Sequence, residues 1–207
     1  MPKFIKLPLI LSVITFLTSG LLMLSEKLTY EKIAEQKKIL LLKSLKQLIP
    51  AHLHDNDLTT NTLKIQQPEQ LGHRRLETVY IGTLQDEISV VAIPVTARNG
   101  YSGDIDIMVG IQANGTITVV KILEQHETPG LGDLIEPYKS DWIQQFNSQS
   151  LSKTAEKNWS VKRDGGEFDQ ITGATISPRA VTLAIKQALL YYKYNFNQDN
   201  KLNEILP

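Results

Sequence analysis

Hydrophobic and polar positions follow three different rhythms along this chain. From Leu7 to Ser25 no side chain is charged, and Leu7 to Leu24 is an almost unbroken apolar run. As a helix the run is about 27 Å long, against the roughly 30 Å hydrocarbon core of a bilayer, so it predicts one spanning helix over 7–25. A cleaved signal peptide is the competing reading, because Lys3 and Lys6 make a basic leader. The apolar run is longer than the ~15 residues usual for such a leader. No Ala-x-Ala-like site follows before Glu26 either, which favours an uncleaved anchor. The lysines of the short tail, residues 1–6, put that tail in the cytoplasm and the remaining ~180 residues outside it. From Glu26 to Ile49 the rhythm becomes helical. Ile33, Leu41, Leu45 and Leu48 recur near one face, which predicts a juxtamembrane helix over 26–50 ended by Pro50. That stripe suits packing against the domain or a partner, with a membrane-surface role as the alternative.

Between Leu76 and Leu123 the period is two. Leu76 to Leu84 and Ile88 to Thr96 read as strands around a Gln85-Asp86 connection. Ile105 to Ala113 and Thr116 to Leu123 are joined by Asn114-Gly115, a strong hairpin signal. The consequence is an antiparallel sheet. Ile135 to Phe146 suits a short helix with Trp142 on its apolar side, and Asn158 to Arg163 is again strand-like before Gly165-Gly166. A last helix carries Val181, Ala184, Ile185, Ala188, Leu189 and Tyr192 at helical spacing on one buried face. Ser177 suits its N-cap and Pro178 its first helical position. Residues 195–207 are polar and expected to fray. These elements predict an α+β architecture: one membrane helix, then a domain over 51–207 with an antiparallel sheet flanked by helices.

Composition removes several classes of function. Lys plus Arg and Asp plus Glu number 22 each in 207 residues, so no global charge recruits nucleic acid. Without cysteine there are no disulfides, thiolate zinc sites or iron–sulfur clusters. His52 and His54 with Asp55 and Asp57 read as a solvated loop, and no metal site is expected. Redox chemistry, if present, needs an organic cofactor, a metal on other ligands or a partner. A hydrolase is disfavoured: no Gly-x-Ser-x-Gly elbow occurs, and no catalytic residue is assigned.

Two stretches remain in which local chemistry is concentrated. Thr172-Gly173-Ala174-Thr175 forms a turn that leaves Thr175 just ahead of a helix N-terminus, where free N–H groups and the macrodipole favour a phosphate. Taken alone, it is also ordinary connecting structure. Glu127-Thr128-Pro129-Gly130-Leu131-Gly132 forces a turn with open backbone that a planar ligand could approach, and it too reads as a plain long turn by itself. His126 is bland, and Trp142 reads as a core anchor or, alternatively, a ring that stacks on a planar cofactor.

Both stretches resemble motifs of one family. It comprises the flavin-binding subunits of two related bacterial ion-translocating redox complexes: the G subunit of the Rnf (Rsx) electron transport complex and the C subunit of the sodium-translocating NADH:quinone reductase. Thr172-Gly173-Ala174-Thr175 is similar to the family's [Ser/Thr]-Gly-Ala-Thr signature, and Glu127 to Gly132 to its Glu-Thr-Pro-Gly-Leu-Gly motif. Gly100-Tyr101-Ser102-Gly103 resembles a Gly-Tyr-x-Gly segment, with Ser102 where the family often has Gly. The resemblance covers essentially the whole chain, and the length fits the Rnf protein better than the quinone-reductase one. It implies FMN held covalently through a phosphoester on Thr175 and attached by an FAD-dependent flavin transferase. It implies that Thr172, Gly173, Ala174, Glu127, Thr128, Pro129, Gly130 and Leu131 border the cofactor. It implies other membrane subunits as partners, a place in the bacterial inner membrane, and an electron-carrier role with no activity of the isolated chain. An anchored, non-redox binding or assembly protein is the alternative from a different class.

Overall fold

The computed structural model describes residues 3–74 and 77–196. The chain divides into two compact units, residues 1–43 and 44–207. The first is built from helix α1 (Lys3–Leu48), whose last residues belong to the second unit. Within it Ile10–Tyr30 is long and apolar enough to cross a membrane by length and composition. Several hydroxyls of this stretch are satisfied by the helix itself. The Ser12, Thr15 and Thr18 hydroxyls donate to the carbonyls of Pro8, Leu11 and Ile14 at 2.8, 2.9 and 3.0 Å. In hydrocarbon, where no water competes, such internal bonds remove the cost of the hydroxyls. The helix runs without a break past residue 25.

The second unit is a five-stranded antiparallel meander in the order β1-β2-β3-β4-β5. Its strands are β1 (Thr62–Lys64), β2 (Thr78–Leu84), β3 (Glu87–Ala97), β4 (Ile105–Gln112) and β5 (Ile117–Glu124). Gln85 and Asp86 both take left-handed φ, of 56° and 64°, which is the twist a two-residue hairpin requires. The Asn114-Gly115 loop is longer than a two-residue turn: Gln112 N–H bonds the Thr116 carbonyl, and the Asn114 side chain accepts from Thr116 N–H at 2.9 Å. Residue 76, the expected start of the first strand, lies outside the described residues. β1 is an addition to the expected strands, too short at three residues to carry a periodic signal.

Alternation along β3 and β4 separates two apolar layers. Val91, Ile93 and Val95 join Ile107, Val109 and Ile111 in the main core, closed by helix α2 (Ile176–Asn195). The predicted face of α2, Val181 through Tyr192, is buried against β3 and β4. On the opposite face Val90, Ala92 and Met108 are buried, and Thr118 Oγ1 donates to the Leu48 carbonyl at 2.9 Å. Leu45 and Leu48, the end of the predicted stripe, are buried in this unit together with Ile49, whereas Ile33 is exposed.

Between β5 and α2 the structure corrects two expectations. Ile135 to Phe146 is not an α-helix but two separate 3-10 turns, Gly132–Ile135 and Trp142–Phe146. Asn158 to Arg163 is not a strand; it contributes a single bridge, Val161 to Phe168, followed by a 3-10 turn, Lys162–Asp164. An aromatic cluster does the ordering here that regular hydrogen bonding does elsewhere. Phe168 packs 4.8 Å from Phe146 and 4.6 Å from Trp159, and the Trp159 indole N–H reaches the Thr154 carbonyl. Large buried rings can fix a segment that lacks a ladder, because each removes a large apolar area from water.

Candidate functional site

Ile171 to Ala174 make a tight turn closed by Ala174 N–H on the Ile171 carbonyl at 3.1 Å. Gly173 occupies its third position with φ 82°, a value that side-chain-bearing residues adopt only with strain. The turn delivers Thr175 to the N-cap of α2. Thr175 itself has helical backbone angles, and no side chain caps the helix. Ser177 therefore does not cap: the helix starts at Ile176, one residue ahead of the expected cap, and Pro178 is its third residue. The physical reason is competition for the hydroxyl. Ser177 is fully buried and donates instead to Glu127.

Glu127 is the joint of the site. Its carboxylate is buried and accepts from the Ser177 hydroxyl, from Ser102 N–H at 3.0 Å and from Tyr101 N–H at 3.3 Å. Three separate pieces of chain, the Gly100–Gly103 loop, the 127–132 loop and the first turn of α2, meet on this one side chain. Gly132 passes so close that a β-carbon there would stand 2.7 Å from both Glu127 Oε2 and Ser177 Oγ.

Asp133 fixes the other end of the loop. It accepts from Gly130 N–H at 2.7 Å and pairs with the Lys139 ammonium. That ammonium, with the Gly130 N–H, holds the Asp133 carboxyl below the usual carboxylate range, and Asp133 in turn raises Lys139.

The three pieces enclose a cleft of about 260 Å³. Of the sequence-predicted residues, Glu127, Thr128, Leu131, Gly173, Ala174 and Thr175 border it. Tyr101, Gly132, Ile176 and Ser177 complete the lining, while Pro129, Gly130 and Thr172 do not face it. Tyr101 and Leu131 present exposed apolar surface at its mouth, Tyr101 being 69% exposed. Thr175 is half-buried, and its Oγ1 accepts from Arg163 Nη1 at 3.1 Å.

A family model described as FMN-binding domain matches residues 100–190, which span all three pieces of the cleft. Over 91% of its length the chain is 43% identical to the G subunit of the ion-translocating oxidoreductase complex of Shewanella piezotolerans, covering 89% of that protein. The chain belongs to this family of G subunits. The corresponding protein of Pseudoalteromonas atlantica is 42% identical over 90% of this chain and 87% of its own. A crystal structure of NqrC from Shewanella oneidensis overlaps 72% of each chain at 20% identity with a TM-score of 0.47.

In this member of the family, two participants in the site are not apparent from sequence. Ser177 reads there as a cap and Arg163 as part of a strand. Only the latter carries a signal, a cation beside Gly165-Gly166. Trp142 does not border the cleft: its indole N–H donates to the Asp169 carbonyl at 2.6 Å and its ring meets Phe146 edge-on at 5.3 Å. His126 is outside the cleft lining. His54 bonds the Asn56 carbonyl through Nδ1 at 3.1 Å, and among the described residues no three His, Cys, Asp or Glu side chains are placed to share a metal ion.

Proposed function

We propose that this chain is the membrane-anchored electron carrier of an ion-translocating oxidoreductase complex, holding FMN in the cleft through a phosphoester on Thr175. The observation that carries the reading is the setting of one hydroxyl. Thr175 Oγ1 stands at the border of the cleft, at the start of a 20-residue helix whose first-turn N–H groups have no side-chain cap. Such a helix start favours a phosphate. The residues present suit the group: a hydroxyl to esterify, a guanidinium beside it, and apolar surface from Tyr101 and Leu131 at the mouth.

Bound flavin supplies one- and two-electron chemistry, which no side chain of this cysteine-free chain provides. The protein's share is attachment and placement. In attachment, Thr175 Oγ1 would give up its proton and take the flavin phosphate from FAD, with AMP as the leaving group, on a flavin transferase. Glu127 holds three segments in register around the cleft, and Thr172, Gly173 and Ala174 set the distance between Thr175 and Leu131. Thr128, Pro129 and Gly130 shape the facing loop. The N-terminal helix lies in the bacterial inner membrane with Lys3 and Lys6 in the cytoplasm and the second unit outside. There a covalent link keeps the cofactor from being lost to bulk solvent, and the other subunits of the complex supply and receive its electrons.

The test is flavin fluorescence of the band in a denaturing gel, with the chain and Thr175→Ala each expressed beside a flavin transferase. Fluorescence in the first and none in the second is the expected result. Two dark bands would overturn the ester and leave either FMN held without a covalent link or an anchored binding or assembly protein.

A further inference from the structure

The surroundings of Thr175 contain three cations in a short span, and the structure treats them unequally. Lys162 Nζ is 2.6 Å from Asp169 Oδ1. Arg179, in the first turns of α2, grips Asp164 with both arms of its fork, at 2.5 and 2.8 Å. The pairing is strong enough to hold the Asp164 carboxyl below its ordinary value. Arg163 lies between them and has no ion pair among the described residues. Among the described residues its guanidinium bonds only the neutral Thr175 hydroxyl. Lys162 and Arg179 each hold a carboxylate in a close ion pair, whereas the Arg163 guanidinium, whose charge reaches Asp164 only through space, lies 3.1 Å from the atom that would carry the ester.

The segment that bears Arg163 is also fixed from several sides. Asp164 is tied to α2 by Arg179, Gly165 and Gly166 N–H bond the carbonyls of Lys162 and Val161, and Lys162 N–H bonds the Phe168 carbonyl at 2.7 Å. Gly166 lies against Ser160 so closely that a β-carbon would meet its carbonyl oxygen at 1.9 Å. An exposed arginine on a loose loop would be ordinary. Here an exposed arginine stands on a clamped turn, and the clamp is attached to the helix that presents Thr175.

Resting on the reading of Thr175 as the flavin attachment site, we propose that Arg163 is the residue that recognises the flavin's phosphate, pairing its guanidinium with the phosphate anion beside Thr175. A guanidinium presents five donors in a planar fork that matches phosphate oxygens, and only one is used among the described residues. Arg163 selects for a phosphorylated flavin and positions its phosphorus against Thr175 Oγ1. It is a binding and positioning residue; the bond is made at Thr175.

The test separates this role from the ester. In the full-length Thr175→Ala chain, which cannot be esterified, dissociation constants are measured for FMN and for riboflavin, the same ring system without phosphate. FMN is expected to bind about tenfold more tightly, as loss of one charge-assisted contact would imply. Adding Arg163→Ala abolishes that preference, and Arg163→Lys restores part of it. A merely structural arginine would weaken both flavins equally, which overturns the proposal, as does an equal affinity for the two flavins when Arg163 is present. A wild-type band that stays dark in the gel experiment sinks the ester alone and leaves the FMN-to-riboflavin ratio as the test of Arg163.

Discussion

The Ser177 hydroxyl donates to the Glu127 carboxylate across fifty residues of sequence, and this bond fastens the start of α2 to the loop leaving β5. Removing the two partners has unequal effects. Glu127→Ala leaves the N–H groups of Tyr101 and Ser102 without their acceptor and costs about 2 kcal/mol or more. Ser177→Ala loses one bond to a charged group, about 1.5–2 kcal/mol. Denaturant unfolding of the two single variants and the double variant should show strong coupling, the double costing clearly less than the sum. Additive effects would mean that the bond does not join the two segments.

Two glycines bordering the cleft fail differently when given a methyl group. At Gly132 the new carbon meets two oxygens at 2.7 Å on groups that cannot withdraw, so Gly132→Ala should cost about 1–3 kcal/mol and lower flavin loading. At Gly173 the space is ordinary, 3.4 Å to Leu131 Cδ2, and the cost is backbone strain at φ 82°, about 1 kcal/mol. Gel fluorescence and thermal unfolding of the two variants should rank Gly132→Ala as the more damaging.

Acid should loosen the loop that borders the cleft. Asp133 is held below its unfolded value of about 3.9, so its stabilisation is complete above that pH and is lost as pH falls through its lower folded value. Asp164, lowered by Arg179, acts in the same direction. Thermal stability measured between pH 7 and pH 2 should fall on the acid side, and Asp133→Asn should start lower and fall less. An unchanged acid limb in that variant would contradict the assignment.

Trp142→Phe removes the indole bond to the Asp169 carbonyl and keeps a ring against Phe146. We expect a loss of about 1 kcal/mol in stability with unaltered flavin loading, because the ring does not border the cleft. Reduced loading at intact stability would instead mark Trp142 as a flavin-stacking ring.

What can be read from the sequence follows from local periodicity. The Gln85-Asp86 turn and the strands around it, the hairpin at Asn114-Gly115, and the apolar face of α2 each depend on residues close in sequence, and each appears where expected. The segment from 132 to 175 is illegible by the same means because its order comes from Phe146, Trp159 and Phe168, rings brought together by the fold. The site divides in the same way. The turn through Gly173 is visible in sequence, whereas the roles of Ser177 and Arg163 depend on Glu127 and Thr175, partners whose positions only the tertiary structure sets.

The meander leaves two sheet edges, and neither is an open template. β1 is only three residues long. β5 is bulged at two points against β4, and its first residue is bonded on the outer side to Ser148 and Gln149. Short, bent or covered edges resist the addition of a further strand. A stray segment from another chain thus finds no long, straight edge on which to pair, so the sheet is guarded against being lengthened by the wrong strand.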